Sequence, residues 1–197
     1  MAIPEDPGRN PRVRLRDLTV LSDAWYKLSR ATFDYQGSDG TWSEQQREVY
    51  DRGNGATILL RDETRGTILL TRQFRMPAYL NGHPDGMLLE APAGLLDGDD
   101  PETAIRREAE EETGYRVAAV TFLGEYFMSP GSVTERIAFF SGSYRAGERV
   151  SEGGGLAGEG EDIEVVEVAL SEAVAMVERG EIVDGKTVLL LRLAQFT

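Results

Sequence analysis

Three short segments of nearly uninterrupted apolar residues constrain the fold most: GATILLRD (55–62), GTILLTRQF (66–74) and GMLLEAPA (86–93). Runs that do not alternate between apolar and polar read as strands buried on both faces, as in the central sheet of a layered α/β domain. The spacing then predicts a helix over 101–113, strands over 116–127 and 137–144, a short strand IEVVEVAL (163–170), a helix SEAVAMVER (171–179) closed by Gly180, and a last helix near 186–195. Strands and helices mixed in this order predict an α/β sandwich with a mixed sheet. Upstream, residues 1–12 carry three prolines and no period, which predicts a loose arm. Residues 13–50 are β-rich, with VRLRDLTVL, AWYKLSRATFDY and WSEQQREVY, the last two separated by a turn at Gly37, Asp39 and Gly40. Three strands have little core of their own, so this small subdomain is expected to pack on the main domain, 51–197, or on a second copy of the chain.

Charge and composition narrow the chemistry. Thirty-four acidic residues against 21 Lys and Arg give a formal charge of −13, with no basic run, which argues against a nucleic-acid partner. With no cysteine and one histidine, His83, a bound metal must take oxygen ligands, which suits Mg²⁺ or Mn²⁺. No apolar stretch is long enough to span a bilayer. The N-terminal residues MAIPEDPGRNPR lack the apolar core of an export signal, so the expected compartment is the cytoplasm.

The segment Gly94–Tyr115, GLLDGDDPETAIRREAEEETGY, carries the most chemical information. Asp100 before Pro101 is a helix start and Gly114 a stop. At about 100° per residue with Ile105 at zero, Ala109 falls near 40°, and Glu112 and Glu108 near 340° and 300°, flanking the apolar stripe. Glu110, near 140°, points away from it. Two carboxylates one turn apart repel, and more so when partly desolvated. Arg107 can pair with Glu111 and Arg106 with Glu110, which leaves Glu108 and Glu112 to be bridged by a divalent cation. A bare charge run of this kind otherwise reads as a solvated face.

The context favours the bridged reading. Gly94, five residues, Asp100, then Arg107-Glu108-Ala109-Glu110-Glu111-Glu112-Thr113-Gly114-Tyr115 resembles the signature box of the Nudix hydrolases. Two departures lie in its first half: Asp100 stands where the family has Glu, and six residues instead of seven precede Arg107. Asp100 is therefore assigned only a capping role. Resemblance continues over roughly residues 47 to 191, in REVYDRGNGATILL, TRQFR, AGLLD, YFMSPGSVTE, GEDIEV and GEIVDGKTVLLL, and is greatest to the GDP-mannose pyrophosphatase branch. TRQFR and the Ser-Pro-Gly loop followed by Glu are shared with ADP-ribose pyrophosphatases.

The resemblance implies a Nudix α/β/α sandwich and Mg²⁺-dependent hydrolysis of a nucleotide sugar, GDP-mannose to GMP and mannose 1-phosphate. Alternatives are ADP-ribose hydrolysis, a Nudix-fold sensor that binds nucleotide sugars without cleaving them, or a structural partner protein. It places metal ligation on Glu108 and Glu112, with Glu111 assisting, Arg107 fixing the carboxylates, and the Ala93-Gly94-Leu95 loop offering a backbone carbonyl, from Ala93, to the metal. Glu161, at the end of the glycine-rich stretch 146–162, would be a further ligand or the general base; the plain alternative is a mobile acidic loop. Arg75, Glu135 and Lys186 would contact substrate, against readings as a strand-end charge, surface polarity and a solvated first-turn lysine. The N-terminal subdomain would form a homodimer in which Trp25 stacks on the base and Gln46, Arg47 and Glu48 line the same site. Trp25 otherwise reads as core, although the strand reading of Ala24-Trp25-Tyr26 sends adjacent aromatics to opposite faces.

Overall fold

A computed structural model describes residues 10–194 apart from Ala118, Ala157 and Glu159, so most of the expected N-terminal arm lies outside the described residues. Among the described residues there are ten strands and four helices, and the chain divides into two compact units. Of the described residues, the first unit includes those up to Gly53 together with Ser129–Glu135, and the second those in Asn54–Met128 and from Arg136 onward.

In the first unit, β1 (Val13–Asp23), β2 (Lys27–Gln36) and β3 (Trp42–Asp51) form an antiparallel sheet in sequence order. Gly40, at φ 82°, closes the β2–β3 hairpin in a backbone region that other L-residues rarely adopt. The strand expected to begin at Ala24 instead begins at Lys27, and residues 24–26 form the turn between β1 and β2. Thr134 N–H donates to the Tyr50 carbonyl at 3.0 Å and Tyr50 N–H to that of Ser132 at 2.8 Å, which joins the 129–135 segment to β3.

The second unit is built on a mixed sheet whose main path runs β10 (Glu164–Ala169), β5 (Thr67–Phe74), β4 (Gly55–Asp62), β9 (Arg136–Ser143), β8 (Val120–Phe127). Strand β6 (Met87–Glu90) pairs with β5, and β7 (Ala93–Leu95) with β4. Only β4 and β9 run parallel; the other pairs are antiparallel. The side chains of β4 explain why its sequence shows no alternation. Ile58 and Leu60 join one core layer with Ile105 and Ala109 of α2 (Pro101–Thr113), whereas Leu59 joins another with Ala173 of α3 (Leu170–Glu178) and Leu190 and Leu191 of α4 (Gly185–Leu193). Apolar partners on both faces are what a central strand of a three-layer sandwich requires. Strand β6 departs from the expectation: Met87, Leu88 and Leu89 are only half-buried and Glu90 is the buried residue.

The helix over 101–113 forms as its sequence predicts. Asp100 accepts hydrogen bonds from the backbone N–H groups of Glu102 and Thr103 at 3.1 Å each, and Gly114 ends the helix in the left-handed region at φ 80°. The glycine-rich stretch, expected to be a mobile loop, is hydrogen-bonded onto this helix end. Gly154 N–H donates to the Glu112 carbonyl at 2.9 Å, Gly155 N–H to that of Glu111 at 3.1 Å, and Val150 N–H to that of Gly114 at 2.8 Å. A helix leaves its last carbonyls without internal donors, and this loop supplies them. Gly153, Gly154 and Gly155 all have positive φ, which side chains would resist.

Candidate active site

The acidic helix puts its carboxylates where the periodicity places them, and burial separates their roles. Glu112, in the last turn of α2, is 2% exposed, while Glu110 faces outward and pairs with Arg116 at 3.0 Å. Arg107 lies 2.9 Å from Glu108 and 3.4 Å from Glu111, so it serves two of the box carboxylates. Arg106 does not pair with Glu110 as expected. It turns toward the helix start and bridges Glu102 at 2.7 Å, a partner one turn earlier.

Burial pushes the Glu108 carboxyl up to about 7; Arg107 pulls it down, and Glu111 and Glu161 push it further up. Glu112 is driven well above the ordinary carboxylate range, first by burial and then by Glu108 and Glu161. The Ala93 N–H, donating to its Oε2 at 3.2 Å, and the charge of Arg75 pull the other way. Glu161 thus lies within electrostatic reach of both box glutamates. Its Oε2 accepts a hydrogen bond from Leu156 N–H at 2.9 Å, across the loop that docks on α2.

Gly94 on β7 is required by this approach: a Cβ there would overlap the Glu108 carboxylate. The strand that carries Ala93, Gly94 and Leu95 pairs with Thr57, Ala56 and Gly55, which fixes its distance from the helix. Among the described residues no three acidic or imidazole groups already converge as a finished metal cage. The donor set nevertheless fits a hard divalent cation. Its side-chain donors are carboxylate oxygens, and two of the groups are desolvated and mutually repelling, with less positive charge near them than their ionised forms need.

These shifts predict a stability profile. Unfolded, Glu108 ionises near its ordinary 4.5; folded, near 7. Between those values the unfolded chain has already released its proton, so stability falls as pH rises through this window and the loss is complete above it. Glu112 acts in the same direction. In chelator, Tm should therefore fall between pH 5 and pH 8, less steeply in Glu108→Gln, and Mg²⁺ should raise Tm more at pH 8 than at pH 5. A Tm in chelator that follows the same pH profile in both proteins would remove Glu108 from this account.

A second group of charges adjoins the carboxylates. Arg75, at the junction of β5 and α1 (Met76–Leu80), reaches Glu90 at 2.7 and 3.0 Å. Lys186, in the first turn of α4, lies 3.4 Å from Glu90 and 2.7 Å from Asp184. Burial works against both cations, but the neighbouring carboxylates outweigh it and raise both. Asp184 also caps α4 by accepting from Thr187 N–H at 2.9 Å. Glu90 and Asp184 are not among the site residues expected from the sequence. The available signal was an ionisable residue closing the apolar run MLLE.

The second unit therefore contains Arg75, Ala93, Gly94, Leu95, Arg107, Glu108, Glu111, Glu112, Glu161 and Lys186. Trp25, Gln46, Arg47, Glu48 and Glu135 belong to the first unit. Trp25 is 82% exposed, so it is not core packing in this chain. Its ring lies 6.3 Å from that of Tyr26, which meets Tyr50 edge-on at 5.9 Å. Gln46, Arg47 and Glu48 are exposed on β3, and Glu135 pairs with Arg52 at 3.4 Å.

Comparison with known proteins identifies the family. Residues 12–50 match the model described as GDP-mannose pyrophosphatase NudK N-terminal domain, and residues 51–191 match the NUDIX domain. A protein of Yersinia enterocolitica named GDP-mannose pyrophosphatase is 57% identical over 176 residues, 89% of this chain and 91% of its own length. One of the same name from Pectobacterium atrosepticum is 54% identical over 173 residues, 88% of this chain and 89% of that protein. The crystal structure of an ADP compounds hydrolase superposes with a TM-score of 0.71, covering 94% of this chain and 93% of that one at 18% identity, which speaks to fold alone. The sandwich, the acidic helix and these matches together make the chain a member of the Nudix hydrolase family.

Proposed function

We propose that this protein hydrolyses the pyrophosphate of a nucleotide sugar, GDP-mannose to GMP and mannose 1-phosphate, with Mg²⁺ as its metal and Mn²⁺ as a substitute. The observation that carries the reading is the desolvated Glu108–Glu112 pair on a chain 57% identical to a protein named for that activity. Glu108, Glu112, Glu161 and the Ala93 carbonyl would hold the cation. Once bound there, it supplies positive charge against the non-bridging phosphate oxygens and lowers the pKa of water.

The chain's own groups do the rest. Arg107 would orient Glu108 and Glu111 from one guanidinium nitrogen that pairs with both. Glu161, placed by the Leu156 N–H, would, if it does not ligate the cation, accept a proton from the attacking water. Arg75 and Lys186 offer donors to the departing phosphate and sugar. Trp25, Gln46, Arg47 and Glu48 would bind the nucleotide from the partner copy of a homodimer formed by the β1–β3 sheet, and Glu135 would contact the substrate. The exposed Trp25 supports that role. Among the described residues no helix is long and apolar enough to cross a membrane. The proposed compartment is the cytoplasm.

Turnover of GDP-mannose and ADP-ribose with Mg²⁺ tests the reading: kcat/KM should be higher for GDP-mannose, and faster turnover of ADP-ribose would reverse the assignment. Sedimentation should give a two-subunit mass, and a fully active monomer would remove the shared nucleotide site.

A further inference from the structure

The carboxylate at the end of β6 is nearly sealed from water: the Glu90 side chain is 3% exposed. An isolated buried carboxylate is strongly disfavoured, so it persists only with charge beside it. Glu90 has two cations from distant parts of the chain. Arg75 Nε and Nη2 donate to its two oxygens at 2.7 and 3.0 Å, and Lys186 Nζ lies 3.4 Å from Oε2. The next residue repeats the connection, since Ala91 N–H donates to Thr187 Oγ1 at 2.6 Å. The last residue of β6 and the residue after it thus hold adjacent residues of the first turn of α4.

The two cations are not used up by Glu90. A guanidinium has five donors and the bidentate contact takes two. The Arg75 side chain remains 41% exposed, and its charge is felt by Glu112. Arg75 and Lys186 also repel one another, and Lys186 feels that repulsion. With Asp184, the four charges sum to zero, so the cluster attracts an anion through aimed donors more than through net field. Aimed donors need a fixed frame, and Glu90 is the atom group common to both.

We propose that Glu90 is a positioning residue, a buried carboxylate that holds Arg75 and Lys186 side by side as a two-cation clamp for the substrate's pyrophosphate. The proposal rests on the reading above that these two cations meet the substrate. Glu90 itself touches neither substrate nor metal.

Glu90→Gln keeps the shape and replaces one acceptor by an amide NH₂, which faces a cation and releases either Arg75 or Lys186. Expected is a loss in kcat/KM of at least ~10-fold, mostly in KM, because ground-state and transition-state contacts to the pyrophosphate weaken together. Glu90→Asp, which keeps the charge, should recover part of it. In an Arg75→Ala/Lys186→Ala background, Glu90→Gln should cost no further factor beyond ~2, since there is nothing left to position. A purely structural Glu90 would lower Tm and cost the same factor in both backgrounds, which overturns the proposal, as does a Glu90→Gln kcat/KM within 2-fold of the parent. If Glu90→Gln does not fold, Glu90→Asp takes its place in the same comparison. Whichever nucleotide sugar the unmodified enzyme cleaves serves as substrate, so an error in the GDP-mannose assignment shows in the unmodified protein. If it cleaves neither, calorimetric binding of inorganic pyrophosphate with Mg²⁺ decides: weakening of at least ~10-fold in Glu90→Gln supports the clamp, and equal binding rejects it.

Discussion

Glu112→Gln is expected to lower kcat at least ~10²-fold while the protein stays folded, with a Tm equal to or above that of the parent. The two halves of this expectation come from the same fact. Glu112 is 2% exposed and its ionised form is disfavoured by burial and by Glu108 and Glu161. A neutral side chain of equal size removes that electrostatic penalty, and its remaining oxygen can still accept the Ala93 N–H. It cannot supply the anionic oxygen that the proposed cation requires. Activity and stability should therefore move in opposite directions, which separates a catalytic role from a structural one. Initial rates at saturating GDP-mannose and Mg²⁺, with thermal melts on the same samples, make the measurement. An unchanged kcat would reject Glu112 as a metal ligand.

Gly94→Ala is the second large effect, and it should also spare the fold. The new Cβ would overlap the carboxylate of Glu108, which is the free end of a flexible side chain and not backbone. Glu108 can rotate away at small cost to stability, but only by leaving the place from which it would meet the cation. The expected outcome is a kcat/KM lower by at least ~10-fold and an increased Mg²⁺ requirement, with Tm moved by no more than a few degrees. The Mg²⁺ dependence of the rate is the diagnostic readout. A variant that loses activity with an unaltered Mg²⁺ midpoint would show that Gly94 matters for some reason other than Glu108.

Both expectations depend on a helix that is readable from its own residues. Asp100, Pro101 and Gly114 mark its ends, and the positions of Ile105, Ala109, Glu108 and Glu112 follow from 3.6 residues per turn. Trp25 shows where such local reading stops. Ala24-Trp25-Tyr26 looks like strand by composition, yet β1 and β2 are joined there by a turn, and the indole stands in solvent. Arg106 is a similar case. Glu102 and Glu110 are equally spaced from it, and the fold gives Glu110 to Arg116 instead.

The glycine-rich loop and the Glu90 cluster were beyond local reading altogether. Three consecutive glycines license many backbone paths, and the one adopted is set by unsatisfied carbonyls at the end of α2. Glu90 and Lys186 are 96 residues apart in sequence. Legible in the residue order is the periodic and local part: β4 and β5 buried on two faces, the capped acidic helix, and two glutamates one turn apart beside its apolar stripe. Folding alone selects the distant charges that share a desolvated space: Glu161 beside the helix glutamates, and Arg75 and Lys186 on one carboxylate. Periodicity is a property of neighbouring residues, whereas these meetings are set by how the two apolar layers stack on the central sheet and by the few hydrogen-bonding solutions that stacking leaves to buried polar groups.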